Sequence, residues 1–407
     1  MADPVEKFLR YVKVDTQSAE GVDSIPSTAG QFELANMLAD ELRAMGAEDV
    51  AVSGHCYVTA TVPASAGLDN APTLGLIAHV DTSDAVSGAN VHPVITKNYD
   101  GGDIVQSGGE ILSSKDYPEL KNYIGEDIIC SDGTTLLGAD DKAGVAEIMA
   151  LAEELLGKNA PEHCRIRICF TPDEETGRGV DEFDIASFGA DFAYTMDGDA
   201  VDTINCENFN AAAAAVDVNG VSIHPGSAKG KMINASRVAI EFDAMLPRFE
   251  DPACTEGREG FYHLCGMIGG CEHAHLDYIV RDHDMALFER KKALMRSAAD
   301  YINKKYGEGT LDLTLTDSYF NMREKIDDIY VEYAKRALRA TGIEPKIEPI
   351  RGGTDGARLS WMGLPCPNLG TGGHNFHGRK EFISAQSMQK AVKVLHALVA
   401  IVSAKQG

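Results

Sequence analysis

The chain has 407 residues, 44% hydrophobic and 24% charged, with 62 acidic against 37 basic side chains and a net charge of −25. That length supports one large or two moderate cores, and the composition excludes a disordered chain. So acidic a surface repels phosphate backbones, which argues against nucleic acid as a partner.

The first segment, DPVEKFLRYVKV, reads as an amphipathic helix. The N-terminus lacks the apolar core of a secretory signal, and no run approaches the roughly 18 apolar residues of a membrane helix. Nine scattered cysteines, with no CxxC pair, read as reduced thiols. The expectation is a cytoplasmic chain without a membrane partner. TAGQFELANMLADELRAMG is a second helix, closed by Gly46 as its C-cap. YVTATVPA alternates like a half-buried strand, and PTLGLIAHVDTS is a short apolar run ending in polar residues. TTLLGADDKAGVAEIMALAEELLGK passes from a loop into a long helix starting near Lys142. RIRICFTPDEETG and ADFAYTMDGD are strands that break into acids. Alternating strands and helices predict an α/β domain with helices covering a sheet.

From about Asn210 to Phe320 the order becomes β-α-β-β-α-β, with Gly269 and Gly270 near a hairpin turn. That order matches a ferredoxin-like α+β unit. The expected division is a catalytic domain from 1–209 and 321–407, with 210–320 inserted. A helix, the glycine-rich RGGTDGARLS, the histidine loop GTGGHNFHGRKEF and a closing helix follow.

Three apolar runs end in His79 and Asp81, in Glu174 and Glu175, and in Asp197. Ligands of open α/β sheets bind beyond the carboxyl ends of the strands, where these residues fall. A hydrolytic metal site needs oxygen or imidazole ligands, an open coordination position and a carboxylate to take a proton from water. HVD, GADDKAG with Asp140, DEE, MDGD and HNFHGRKE with His377 offer such groups. Each has a plainer reading alone: a hydrogen-bonded histidine, an N-capping aspartate pair, a solvated acidic loop. Five such segments in one order make five coincidences a poorer account.

These segments carry a resemblance across nearly the whole chain. IAHVDTS, NYDGGDI, TTLLGADDKAGVAEIM, FTPDEETGRG, YTMDGD, VSIHPGSAKGKMINA, IRGGTDGARLS and GGHNFHGRKEF are similar to the M20 family of zinc peptidases, and within it to tripeptide aminopeptidases. The resemblance implies a mixed central sheet flanked by helices, with an inserted lid and dimerisation domain. It implies two zinc ions, one held by His79 and Asp197, the other by Glu175 and His377, with Asp140 bridging both. Co²⁺ or Mn²⁺ would also suit such ligands. Glu174 would be the general base for a hydroxide formed from metal-bound water, Asp81 would orient His79 through its ring N–H, and the Asp140–Asp141 peptide would be cis. Asp173, the remaining acid of DEE, reads as structural.

His224 would stabilise the oxyanion, crossing from the inserted domain of a homodimer, or else is a plain turn histidine before proline. Arg281, Arg351, Gly353 and Thr354 would contact a small peptide substrate, with surface salt bridges as the plainer reading of the arginines. His263, Cys265, Cys271, His273 and His275 fall within 13 residues, on hairpin faces expected to group His263 with Cys265 and Cys271 with the other two histidines. Their spacing fits no standard finger. GSAKGK only imitates a phosphate loop, since Met232 stands where Ser or Thr belongs. The expected activity is removal of the N-terminal residue from tripeptides. Another M20 chemistry (dipeptidase, carboxypeptidase or N-deacylase) and a non-catalytic metal-binding scaffold are the alternatives.

Overall fold

A computed structural model describes residues 3–404. The chain divides into two compact units. The first runs through Cys206 and takes up Met322–Glu348 and the chain from Thr354 onward; the second holds Glu207–Asn321 and Pro349–Gly353.

The first unit is built on an eight-stranded mixed sheet. In spatial order its strands are Glu48–Val52, Val58–Val62, Ile166–Thr171, Leu74–His79, Phe192–Gly198, Asn368–Gly370, Thr203–Asn205 and Lys346–Ile347. Ile166–Thr171, Leu74–His79, Phe192–Gly198 and Asn368–Gly370 are adjacent and parallel, with His79 opposite Thr171. Leu74–His79 is buried at every position, which is why it reads as a continuous apolar run rather than an alternating one. The Ala139–Leu155 helix packs against that strand and is itself buried along almost its whole length. Gly46 ends the Gln31–Met45 helix in the left-handed conformation, φ +92°. A four-stranded sheet of Gly373–His374, Phe382–Ser384, Ile128–Cys130 and Val94–Thr96 carries the base of the histidine loop. Its strands are only two or three residues long, too short for periodicity to reveal.

The second unit is a four-stranded antiparallel sheet with two helices, Ala235–Asp243 and Met285–Tyr306. Its strands stand in the order Phe261–Gly269, His273–Asp282, Asn210–Asn219, Leu311–Tyr319. With the chain order β-α-β-β-α-β, this is the ferredoxin-like arrangement. One face is dry: Val216, Leu276 and Val280 pack with Phe242 and Phe288 from the helices. Each such side chain contributes about 1.5–3 kcal/mol by leaving water. The hairpin departs from strict alternation. A bulge separates Leu264 from Gly266, and Cys271 lies in the turn, outside both strands. Cys271 therefore does not share a strand face with His273 and His275.

Candidate metal and catalytic site

The carboxyl ends of the four adjacent parallel strands deliver the site. His79 ends one strand, Asp197 lies at the end of the next, Thr171 opens the loop bearing Glu174 and Glu175, and Gly370 leads to His377. Asp140 enters from the start of the Ala139–Leu155 helix, whose backbone is non-helical at Asp140 and Asp141. The peptide between those two aspartates is cis.

Asp140 stands between two imidazoles. Its Oδ1 lies 2.9 Å from His79 Nε2 and its Oδ2 lies 3.1 Å from His377 Nε2. His79 Nε2 is also 3.6 Å from Asp197 Oδ1, and His377 Nε2 is 2.9 Å from Glu175 Oε2. The five sequence-predicted ligands therefore form two arms that share one carboxylate. Asp81 is fully buried, with Oδ1 3.2 Å from His79 Nδ1. The same ring nitrogen is 3.1 Å from the Asp81 backbone carbonyl, so the residue orients the histidine by main chain and side chain together. Asp81 does a second thing: its two carboxylate oxygens accept the backbone N–H groups of Glu174 and Glu175, at 3.0 and 3.2 Å.

The supporting groups were largely invisible in the sequence. Asp141 accepts the His79 backbone N–H at 3.1 Å and the Gly144 N–H at 3.3 Å. Glu381 accepts three backbone N–H groups, from Leu137, Gly138 and Asp140. Gly138, at φ +82°, lets that turn close. The only signal for Glu381 was an acid four residues past His377 in the same motif. Asp173 is bound by the Ser27 N–H and hydroxyl and by the Gln31 amide, at 2.5 to 2.6 Å. All three DEE residues are thus held by hydrogen bonds: Asp173 through its side chain, Glu174 and Glu175 through their backbone N–H groups.

Electrostatics set the rest. Burial, then the nearby Asp197 charge, pushes the Glu174 carboxyl well above the ordinary range. Burial, then Asp140, pushes Glu175 up to about 7. Burial alone would raise Asp140 too, but hydrogen bonds from His377 and His79 outweigh it and hold that carboxyl low. Hydrogen bonds to Asp140 and Glu175 push His377 up to about 11. Crowded, desolvated carboxylates that raise one another's pKa form a site that favours cations.

The remaining predicted residues are placed as follows. The Thr354 hydroxyl is 3.2 Å from Asp197 Oδ2, beside the candidate ligands. His224, Arg281, Arg351 and Gly353 belong to the second unit. There His224 Nδ1 accepts the Gly226 N–H, Arg281 donates to the Arg351 carbonyl, and Arg351 donates to the Gly257 carbonyl. Gly353 lies against the Tyr319 ring, 2.7 Å from where a Cβ would stand. In the hairpin, His273 and His275 both face Asp217 Oδ1, at 3.2 and 2.8 Å.

Two groups of side chains bring ligand atoms within 4.8 Å of one another among the described residues: His79, Asp140 and Glu175, and His79, Asp141 and Asp197. Glu175 Oε1 is buried with no hydrogen-bond partner. An orphaned carboxylate oxygen on a residue beside His377, clustered with His79 and Asp140, suits the donor set a divalent ion takes. Asp141 is already committed to two backbone N–H groups, which leaves Asp140 as the carboxylate facing both arms.

Residues 137–401 match the model of peptidase family M20/M25/M40. The chain is also 51% identical, over 99% of its length and 100% of the relative's, to Peptidase T of Alkaliphilus oremlandii. The chain belongs to the M20 peptidase family. This M20 peptidase shares its fold with aminopeptidase PepT of Bacillus cereus, at TM-score 0.80 and 24% identity, over 99% of this chain and 98% of that one. It shares it also with Bacillus subtilis YXEP, described as a dinuclear metal binding peptidase of family M20, at TM-score 0.68 and 14% identity, over 98% and 97%. The matched region of the M20 peptidase contains Asp140, Glu174, Glu175, Asp197 and His377. No helix among its described residues is long and apolar enough to cross a membrane.

Proposed function

We propose that this M20 peptidase is a di-zinc aminopeptidase that removes the N-terminal residue of tripeptides. The observation that carries the reading is the sharing of Asp140 between the His79 and His377 arms, at 2.9 and 3.1 Å. The substrate class rests on the Peptidase T relative, aligned over its full length.

His79 and Asp197 would hold one ion, His377 and Glu175 the other, and Asp140 would span both; Co²⁺ or Mn²⁺ would fit the same donors. Bound ions of this kind polarise the scissile carbonyl and lower the pKa of water from 15.7 towards about 7. Glu174 is the general base: a carboxylate oxygen takes the proton from the attacking water and returns it to the leaving amine. Burial and the Asp197 charge raise its pKa above the ordinary carboxylate range, which makes it a stronger proton acceptor than an exposed glutamate. Asp81 keeps that carboxylate aimed by gripping the Glu174 backbone. Thr354 is assigned to the substrate, as are His224, Arg281 and Gly353. Arg351 is the weaker candidate, since its guanidinium already donates to Gly257 and Thr255.

The second unit is assigned the lid and dimerisation roles, and every cysteine is a free thiol, as suits a reducing cytoplasm. The test compares a tripeptide, a dipeptide and an N-acyl amino acid on the purified protein, before and after chelation, with metal content measured. We expect release of the N-terminal amino acid from the tripeptide, loss on chelation and return with zinc. Preference for the dipeptide or the N-acyl substrate would select another M20 chemistry. A fully loaded protein inert on all three would select the scaffold.

A further inference from the structure

Asp355, one residue past Thr354, is almost fully buried and is not needed as a metal ligand. It opens the Asp355–Met362 helix, with Thr354 as the N-cap. Its Oδ2 accepts the Thr171 hydroxyl at 2.8 Å, 184 residues away in the chain. Thr171 is the last residue of the strand that feeds the loop bearing Glu174 and Glu175. The far end of that loop touches the same carboxylate. A Cβ on Gly179 would lie 2.3 Å from Asp355 Oδ1 and 2.5 Å from Oδ2, so only a glycine lets the chain pass. One turn along the helix, Arg358 donates to the Gly177 carbonyl at 2.7 Å and to Asp181 at 2.6 Å. At the helix start, Thr354 reaches Asp197.

The helix thus holds the acidic loop at its entry, at Gly177 and at its exit, while its N-cap touches Asp197. Asp81 grips the Glu174 and Glu175 N–H groups from the opposite direction. Two buried carboxylates, Asp81 and Asp355, leave the loop little freedom to turn its glutamates away.

We propose that Asp355 is a positioning residue that sets the Thr171–Gly179 loop, and through it the aim of Glu174 and Glu175. The assignment rests on the di-zinc peptidase reading, because it acts through those two glutamates. It requires a hydrogen-bond acceptor at position 355 and the absence of a side chain at 179.

The test uses the full-length protein, four single variants and one double variant. Thr171→Val removes only the donor hydroxyl and keeps the shape of the strand. We expect zinc affinity, read by chelator competition, to weaken about 10–100-fold, as for other groups that orient metal ligands. We expect kcat on the tripeptide to fall by a similar factor with KM within about threefold, because the loop carries the base rather than the substrate pocket. Asp355→Asn keeps an acceptor oxygen for Thr171 and should retain most of both properties. Asp355→Ala should lose them. Gly179→Ala should be as damaging as Asp355→Ala, and the double variant no worse than Asp355→Ala alone, since deleting the carboxylate makes room for the added methyl.

Native zinc affinity and kcat in Thr171→Val would overturn the proposal. So would equal damage from Asn and Ala at 355, which would make the charge matter rather than the tether, or losses at 179 and 355 that simply multiply. If Asp355→Ala does not fold, Thr171→Val and Asp355→Asn still decide. A native protein that binds zinc but ignores tripeptides would refute the proposed function while the zinc-affinity comparison still judged the positioning role.

Discussion

Glu381 accepts the backbone N–H of Asp140 at 3.0 Å, and with its other oxygen those of Leu137 and Gly138 at 2.8 Å each. The residue that faces both histidine arms is therefore positioned by a carboxylate four residues beyond one of those histidines. The loop that brings His377 also shapes the turn that brings Asp140.

Glu381→Gln replaces one of the two acceptor oxygens with an NH₂, so at least one of the three N–H groups loses its acceptor. Zinc affinity should drop about 10–100-fold, and the metal-free protein should lose about 1–3 kcal/mol from unsatisfied donors. Chelator competition and urea denaturation measure the two. Unchanged affinity would mean the turn holds its shape without the carboxylate.

Glu174→Gln should fold, keep its metal and lose about 10²–10⁴ in kcat, the contribution of a positioned base. Steady-state kinetics on a tripeptide with parallel metal analysis reads it. Turnover above about a tenth of native would remove Glu174 from the base role.

Two sets of histidines give opposite pH dependences in the metal-free protein. Burial pushes His283 and His374 down to about 4, against an ordinary 6.5. Between those values the unfolded chain binds protons that the folded chain refuses, so stability falls as pH drops from about 6.5 to about 4. His377 is raised to about 11. Its contribution is complete below about 6.5 and is lost as pH rises through about 11. Denaturant titrations across pH should show His283→Phe flattening the acid limb and His377→Ala the alkaline one. A His283→Phe acid limb identical to native would refute the burial assignment.

Gly144→Ala should destabilise, although alanine is the better helix former by roughly 1 kcal/mol. A Cβ there would sit 2.0 Å from the Met196 carbonyl oxygen and 2.5 Å from Asp141 Oδ1. Overpacking of this kind costs about 1–3 kcal/mol, and the disturbed Asp141 also holds the His79 backbone. Thermal unfolding decides: a raised Tm would show that helix and strand can separate.

Much of the fold lay in local pattern. A fully buried parallel strand is a run of apolar residues, so Leu74–His79 and its functional end could be read directly. Gly46 marked its helix end because few residues other than glycine adopt that conformation readily. Cys271 was misplaced for a reason of the same kind. Alternation cannot foresee the bulge beside Cys265 or the turn that takes Cys271 out of the strand.

What the amino-acid order determined alone was which groups could carry chemistry and that His79, Glu174, Glu175 and Asp197 close or follow apolar strands. The candidate ligands His79, Asp140, Glu175, Asp197 and His377 were all legible in this way, because each sits in a short stretch with its own character. The tertiary structure alone decided what holds them: Asp81 beneath the Glu174–Glu175 turn, Glu381 beneath Asp140, Asp355 beneath Thr171. Those contacts join residues 93, 241 and 184 positions apart. A buried carboxylate must find donors wherever the packed chain supplies them, and no local periodicity encodes which distant N–H or hydroxyl that will be.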